Sequence, residues 1–199
     1  MAKSFTEVRR LNLPDCDIRY YPEFLSLEKA TQYFKLFRET VPWQQDDIRV
    51  FGKVYPQPRL TALFGANGRP YTYSGITMQP HEFTKELIDL KRLIETQTNV
   101  SFTSCLLNLY RDGQDSNGWH ADNEKELGTD PVIASISLGQ ERFFHLKHRQ
   151  DRGLKLKLPL AHGSLLLMQG STQHHWLHQI PKTTKPVAPR INLTFRVIQ

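Results

Sequence analysis

The residues best suited to do chemistry are His120-Ala121-Asp122. In a strand, residues two apart project from one face, so this spacing brings an imidazole and a carboxylate to one point. Alone, such a pair serves as an ordinary surface contact. With a second histidine from a distant strand it becomes a two-histidine, one-carboxylate set, which holds Fe(II) and leaves positions open for substrate and oxygen. The segment His174-His175-Trp176-Leu177-His178-Gln179 supplies candidates. Read as a strand, it puts His174 and His178 on one face with Trp176 between them and His175 on the other, so parity leaves His174 and His178 both eligible. His162, in Ala161-His162-Gly163-Ser164, reads as a structural turn residue. His145 and His148 border a basic loop and suit solvent or phosphate, and His81 belongs to the start of a helix.

A third group lies in Arg190-Ile191-Asn192-Leu193-Thr194-Phe195-Arg196. Strict alternation places Arg190, Asn192, Thr194 and Arg196 on one face and Ile191, Leu193 and Phe195 on the other. Guanidinium forks bind carboxylates bidentately, so two arginines beside an asparagine and a threonine suit a small dianion. Asn108 and Tyr110 share a strand face upstream. Together these six side chains can hold a dicarboxylate.

These residues need a scaffold, and the hydrophobic pattern supplies one. Ser26 can cap a helix running to Thr40, because Leu27, Ala30, Phe34 and Phe37 recur at helical spacing. A second helix is expected over Glu82 to Thr96, with Phe83, Leu87, Leu90 and Ile94 on one face. From Val100 onward the pattern changes to short strands: Phe102–Tyr110, Val132–Leu138, Arg142–Lys147, Lys155–Leu160, Ser164–Gln169, His174–Gln179 and Ile191–Ile198. They are separated by turn-forming clusters such as RDGQDSNG, QDRG and PKTTKP. Many short strands with compact turns indicate a sandwich or jelly roll, with the helices buttressing a sheet. Residues 44–75, with scattered aromatics, arginines, glycines and prolines, are expected to form a ribbon or loop-rich cover.

Composition narrows the setting. The chain has 199 residues, 39% hydrophobic, with 26 basic against 20 acidic side chains and a formal net charge of +6. That length can bury a sizeable core without disulfides or a structural metal. Two cysteines, Cys16 and Cys105, lie far apart and outside any C-x-x-C spacing, which argues against a disulfide scaffold and favours a reducing compartment, cytoplasmic or nuclear. The first ten residues lack an apolar stretch, and the longest apolar run, Leu165–Met168, is too short to span a bilayer, so no membrane partner is expected. A pI near 9.4 invites a polyanion without requiring one.

At this point the motifs match a known family. The chain resembles the AlkB-type Fe(II)/2-oxoglutarate dioxygenases, and within them the subgroup that repairs alkylated duplex DNA. The resemblance runs from about Gln44 to the C-terminus and rests on NLYRDGQDSNGWHAD, PVIASISLG, HGSLLLM, HHWLHQIP and APRINLTFR, in the family's order. It implies an α+β fold: a double-stranded β-helix, or jelly roll, with buttressing N-terminal helices and a nucleotide-recognition lid. One such domain is expected over 1–199, comprising a helical extension (1–43), the lid (44–75) and the catalytic core (100–199). The resemblance assigns His120, Asp122 and His178 as catalytic iron ligands, His178 being preferred to His174 by its place before Pro181. It assigns Asn108, Tyr110, Arg190, Asn192, Thr194 and Arg196 to 2-oxoglutarate. Arg190 with Tyr110 takes the distal carboxylate, and Arg196 with Asn108 the end nearer iron.

The implied activity is oxidative demethylation of N-alkylated bases in DNA, of the 1-methyladenine and 3-methylcytosine type. It consumes 2-oxoglutarate and O2 on Fe(II) and releases formaldehyde. A methyl on the pairing edge is buried in duplex, so the base must be flipped out. Tyr71, Tyr73 and Ser74 are expected in the base pocket, and Tyr73 stands where a phenylalanine is usual. Glu124 is placed to favour a cationic base. Val50-Phe51-Gly52 resembles a finger whose phenylalanine fills the gap left by that base. Arg59 and the stretch Lys147, His148, Arg149, Arg152, Lys155 and Lys157 are expected at phosphates. The expected partner is duplex DNA met by a monomer, with RNA also compatible. Two other readings share these motifs: an RNA or protein demethylase or hydroxylase of the same class, and a catalytically silent nucleic-acid-binding module.

Overall fold

The computed structural model describes residues 8–50, 53–66, 68, 71–73 and 76–199. Ser26 opens helix α1 (Leu27–Thr40) by accepting a hydrogen bond from the Lys29 backbone at 3.3 Å. Ala30 and Phe37 are buried on its inner face. Helix α2 (Lys85–Thr98) starts three residues later than the expected Glu82, because the Thr84 hydroxyl caps the backbone of Leu87. It ends at Asn99, whose φ of 55° is left-handed, a conformation asparagine tolerates better than most residues. Leu87, Leu90 and Ile94 are buried, each contributing about 1.5–3 kcal/mol.

The strands are β1 (Arg9–Arg10), β2 (Asp17–Tyr21), β3 (Asp47–Val50), β4 (Lys53–Pro56), β5 (Leu60–Gly65), β6 (Tyr71–Tyr73), β7 (Ile76–Met78), β8 (Ser104–Tyr110), β9 (Asn117–His120), β10 (Ile133–Gly139), β11 (Arg142–His148), β12 (Lys155–Leu160), β13 (Ser164–Gln169), β14 (Trp176–Ile180) and β15 (Arg190–Arg196). Among the described residues they form a major sheet ordered β1-β2-β13-β10-β15-β8-β5 and a minor sheet ordered β12-β11-β14-β9, with β3-β4 and β6-β7 as separate hairpins. Every pairing between these strands is antiparallel. This is the expected jelly roll.

One face of the major sheet packs on α1 and α2 through Leu107, Ile136, Leu165 and Leu193. Its other face meets the minor sheet through Leu106, Met168, Phe144 and Ile180. Alternation along the strands therefore serves two cores. Gly139 ends β10 at φ +85°, where a Cβ would come within 2.5 Å of the Phe34 ring and the Pro189 carbonyl, so α1 can sit close to the turn.

Three parts of the layout differ from the sequence expectation. Strand β2, which lies in the segment expected as helical extension, joins the major sheet in register with β13. Strand β5 lies in the segment expected as cover, yet Ala62, Leu63 and Phe64 are buried in the major sheet beside β8, with the β3-β4 and β6-β7 hairpins flanking it in sequence as separate ribbons. His174 and His175 belong to a short helix α3 (Thr172–His175), so β14 begins only at Trp176. No helix among the described residues is long and apolar enough to cross a membrane.

Candidate active site

Strand β9 ends at His120, and the chain leaves the sheet before reaching Asp122. Their convergence therefore comes from the turn after β9, not from strand parity. In β14, His178 pairs directly opposite His120, and the ring centroids lie 4.3 Å apart. His178 Nε2 is 3.9 Å from Asp122 Oδ2. One ligand atom from each of His120, Asp122 and His178 falls within a 4.8 Å cluster. His174 does not take part: it is exposed, 2.9 Å from Asp130, because the helical turn at 172–175 breaks the alternation that would align it with His178.

Each member is held by its neighbours. The His120 Nδ1–H donates to the Gly118 carbonyl at 2.7 Å, and its Nε2 accepts from the Asn117 carboxamide at 3.2 Å. The Phe144 ring lies 5.0 Å from the His178 ring at 27°. Arg196 Nη2 donates to Asp122 Oδ1 at 2.9 Å, and the Asp122 backbone N–H donates to the fully buried Gln173 carboxamide at 3.0 Å.

Electrostatics set the protonation of the cluster. Burial alone raises the Asp122 carboxyl, but Arg196 and the two imidazoles bring it down to about 2. Burial pushes His178 down to about 3, with His120 adding to the effect and Asp122 opposing it. Burial also lowers His120, with Asp122 opposing. At neutral pH the set is two neutral imidazoles and a carboxylate, ready for a divalent cation with no proton to displace.

A pH dependence follows. Unfolded histidine takes up protons near pH 6.5, whereas these two stay neutral in the folded chain, so the unfolded state binds more protons below that pH. Asp122 acts in the same direction between its unfolded value of about 3.9 and its folded value of about 2. Metal-free protein should lose stability steadily as pH falls from about 6.5 towards 3. Thermal melts across that range check this, and His178→Gln should flatten the upper part of the slope.

Beside the cluster, β8 and β15 build a polar wall. Arg190 pairs with Tyr110 and Asn192 with Asn108 across the two strands. Arg190 is 1% exposed; its Nη2 donates to Ser137 Oγ at 2.9 Å, while Nε and Nη1 are buried without a hydrogen-bond partner among the described residues. Burial lowers its pKa to about 10, with the Tyr110 phenol partly offsetting the effect. Asn192 donates to Ser135 Oγ and the Ile136 carbonyl, and Thr194 donates to Asn192 Oδ1 at 2.9 Å. All six residues line one cavity with the His120, Asp122 and His178 set, closed by Leu106, Phe144, Met168 and Ile180.

Several expectations change. Arg59 does not reach outward to phosphate: it is 4% exposed in the same cavity, donating to Asn108 Oδ1 at 2.8 Å and to the Ser116 carbonyl at 3.2 Å. His148 is buried too, its Nδ1 accepting the Gln150 and Asp151 backbone N–H groups to close the turn after β11. His162 is structural, as expected: its Nδ1 accepts the Gly139 N–H at 2.8 Å. Glu124 is half-buried ahead of a short turn at Lys125–Leu127 and is not among the cavity-lining residues. Tyr71 and Tyr73 lie in β6, whose side chains are outside the described residues, as are Phe51, Gly52 and Ser74. The sequence reading missed Gln173, Ser135, Ser137 and Arg142. The last donates to the carbonyls of Asp112, Asp115 and Pro181 and lies 5.9 Å over the Tyr110 ring.

The donor set suits a non-haem iron with a dicarboxylate. Two imidazoles and one carboxylate form an incomplete coordination shell, and Arg190 directs two desolvated donors into the same space. Comparisons agree. The profile of the 2OG-Fe(II) oxygenase superfamily matches residues 17–196. Alpha-ketoglutarate-dependent dioxygenase alkB homolog 3 of Bos taurus is 44% identical over 89% of this chain and 64% of its own length. DNA oxidative demethylase ALKBH2 of Homo sapiens is 40% identical over 88% of this chain and 67% of its own. The chain thus spans just under two thirds of the homolog 3 relative. Among solved structures, OsALKBH1 superposes with a TM-score of 0.70 at 17% identity, over 96% of this chain and 100% of that one, a likeness of fold.

Proposed function

This chain belongs to the 2OG-Fe(II) oxygenase superfamily, and we propose that it demethylates N-alkylated bases of DNA, of the 1-methyladenine and 3-methylcytosine type. The observation that carries the reading is the meeting, in one cavity, of the His120, Asp122 and His178 set with two Arg190 donors that have no hydrogen-bond partner among the described residues. The choice of DNA is supported by relatives at about 40% identity that are named DNA oxidative demethylases.

Iron held there, with 2-oxoglutarate and O2, supplies the oxidation: the co-substrate loses CO2 to become succinate, and a C–H bond of the N-methyl group becomes C–OH. The chain's own residues do the positioning. Arg190 receives the distal carboxylate of 2-oxoglutarate as a fork, with Tyr110 alongside. Arg196 and Asn108 face the end nearer the metal. Because Arg196 holds Asp122 Oδ1, the second oxygen is left to the metal and the ligand cannot rotate. The apolar wall of Leu106, Phe144, Met168 and Ile180 keeps bulk water from the oxidation. The hydroxymethyl group on a ring nitrogen then expels formaldehyde and restores the base without a protein acid or base.

Tyr71, Tyr73 and Ser74 receive the flipped base, and Phe51 wedges into the vacated stack. The test is mass-spectrometric turnover on methylated single- and double-stranded DNA and RNA. Formaldehyde, succinate and unmodified base should appear with Fe(II), most from DNA. Phe51→Ala should lower turnover of duplex about tenfold and of single strands little. Equal loss on both would remove the wedge, and methylated DNA left unchanged would remove the activity.

A further inference from the structure

The minor sheet has a second face, turned away from the cavity. Phe144 and Leu146 point into the core and His178 into the site, so pleating sends Phe143, His145 and Lys147 of β11 outward. On the neighbouring β12, Lys155 pairs with Lys147 and Lys157 with His145, adding their side chains to the same face. Trp119 projects there from β9, the edge strand of the sheet, opposite in sense to His120.

Large aromatics are seldom left this open, yet Trp119 is 40% exposed and Phe143 52%. Lys147 Nζ lies 4.3 Å from the Trp119 ring centroid, a cation–π contact that holds the indole in place and leaves part of it open. None of the three lysines forms an ion pair with a carboxylate among the described residues. The acid nearest in sequence, Asp151 in the β11–β12 turn, accepts the Gly153 N–H at 2.8 Å. A solvating lysine face needs no aromatics, and an apolar protein contact needs no unpaired lysines. Rings with cations between them suit a ligand that alternates flat bases with phosphates.

We propose that this outer face binds single-stranded nucleic acid, as the track for the segment flanking the nucleotide in the cavity. Bases stack on Trp119 and Phe143, and phosphates meet Lys147, Lys155 and Lys157. Trp119 directly precedes His120, a cavity residue, so a strand leaving the site crosses the β9 edge onto the face. The inference rests on the proposed action on nucleic acid and adds a second surface to it.

Fluorescence anisotropy with unmodified oligonucleotides of four and twelve nucleotides tests it. The twelve-mer should bind the full chain more tightly than the four-mer. Lys147→Gln, Lys155→Gln and Lys157→Gln together should weaken the twelve-mer at least about tenfold and lower the slope of log affinity against log salt by about 2, near 0.7 per phosphate contact. Trp119→Leu should weaken it about tenfold, because stacking is lost while the exposed site accepts leucine without refolding. Turnover of a methylated trinucleotide, too short to reach the face, should be unchanged in both variants. Equal twelve-mer affinity in wild type and variants overturns the track but not the activity. Lysine-dependent binding confined to duplex overturns the single-stranded track. A wild-type chain that fails to bind the twelve-mer but turns over the methylated trinucleotide overturns the track alone, and one that does neither overturns the track together with the proposed function.

Discussion

Asp122→Asn should reduce turnover at least about 1000-fold and prevent the metal from loading, while the chain still folds. The carboxylate is 2% exposed and is the one anionic member of the cluster. Asparagine keeps its shape, and its carbonyl can still accept from Arg196, whose guanidinium lies 2.9 Å away. What disappears is the negative charge that offsets a divalent cation, together with the charge-assisted character of the Arg196 bond. A 1000-fold loss corresponds to about 4 kcal/mol of transition-state stabilisation. The metal-free variant should lose only about 1–2 kcal/mol of stability, the difference between charged and neutral hydrogen bonds. Metal analysis after reconstitution, turnover and thermal melts separate these effects.

Arg190→Met should weaken 2-oxoglutarate binding at least about 100-fold without destabilising the co-substrate-free chain. The side chain is 1% exposed; its Nη2 donates to Ser137, its guanidinium lies 5.2 Å over the Tyr110 ring, and Nε and Nη1 have no hydrogen-bond partner among the described residues. A buried guanidinium with two donors unmet among the described residues costs the free protein, in line with the burial that lowers its pKa. Methionine fills the same space without that cost, and replacing buried charge by apolar volume is often neutral or stabilising. In the complex the balance reverses, because a carboxylate loses its fork. Truncating one partner of a buried charged pair costs about 2–5 kcal/mol. Isothermal titration with 2-oxoglutarate and a melting curve without it should therefore move in opposite directions. A loss of both would mean that Arg190 acts mainly as a structural strut.

Local pattern and tertiary pairing divide the molecule differently. The helix at Leu27 and the helix at Lys85 follow from apolar spacing and a capping hydroxyl, both local properties. The alternation of Arg190 to Arg196 likewise foretold a polar wall, because a period of two survives wherever a strand forms. Parity failed at His174, since one turn of helix between Thr172 and His175 resets the phase. It was also the wrong account of His120 and Asp122, which converge through a turn beyond the strand. Strand β2 escaped notice because its place is fixed by pairing with β13, far along the chain. Arg59 and His148 look like surface groups in sequence. Their burial depends on acceptors or donors that only the fold supplies: the Asn108 carboxamide for one, two backbone N–H groups for the other. Gln173 carries no motif at all and gains its place from the Asp122 backbone.

On the proposed reading, His120, Asp122 and His178 hold iron in the same cavity in which Arg190 holds 2-oxoglutarate. Anaerobic titration of the chain with Fe(II) and 2-oxoglutarate, followed by visible absorption, tests it most directly. A band should appear that needs both additions together, saturates at one equivalent of each and is absent in His178→Ala. A band of equal strength in His178→Ala, or 2-oxoglutarate binding that is indifferent to both the metal and Arg190, would contradict it.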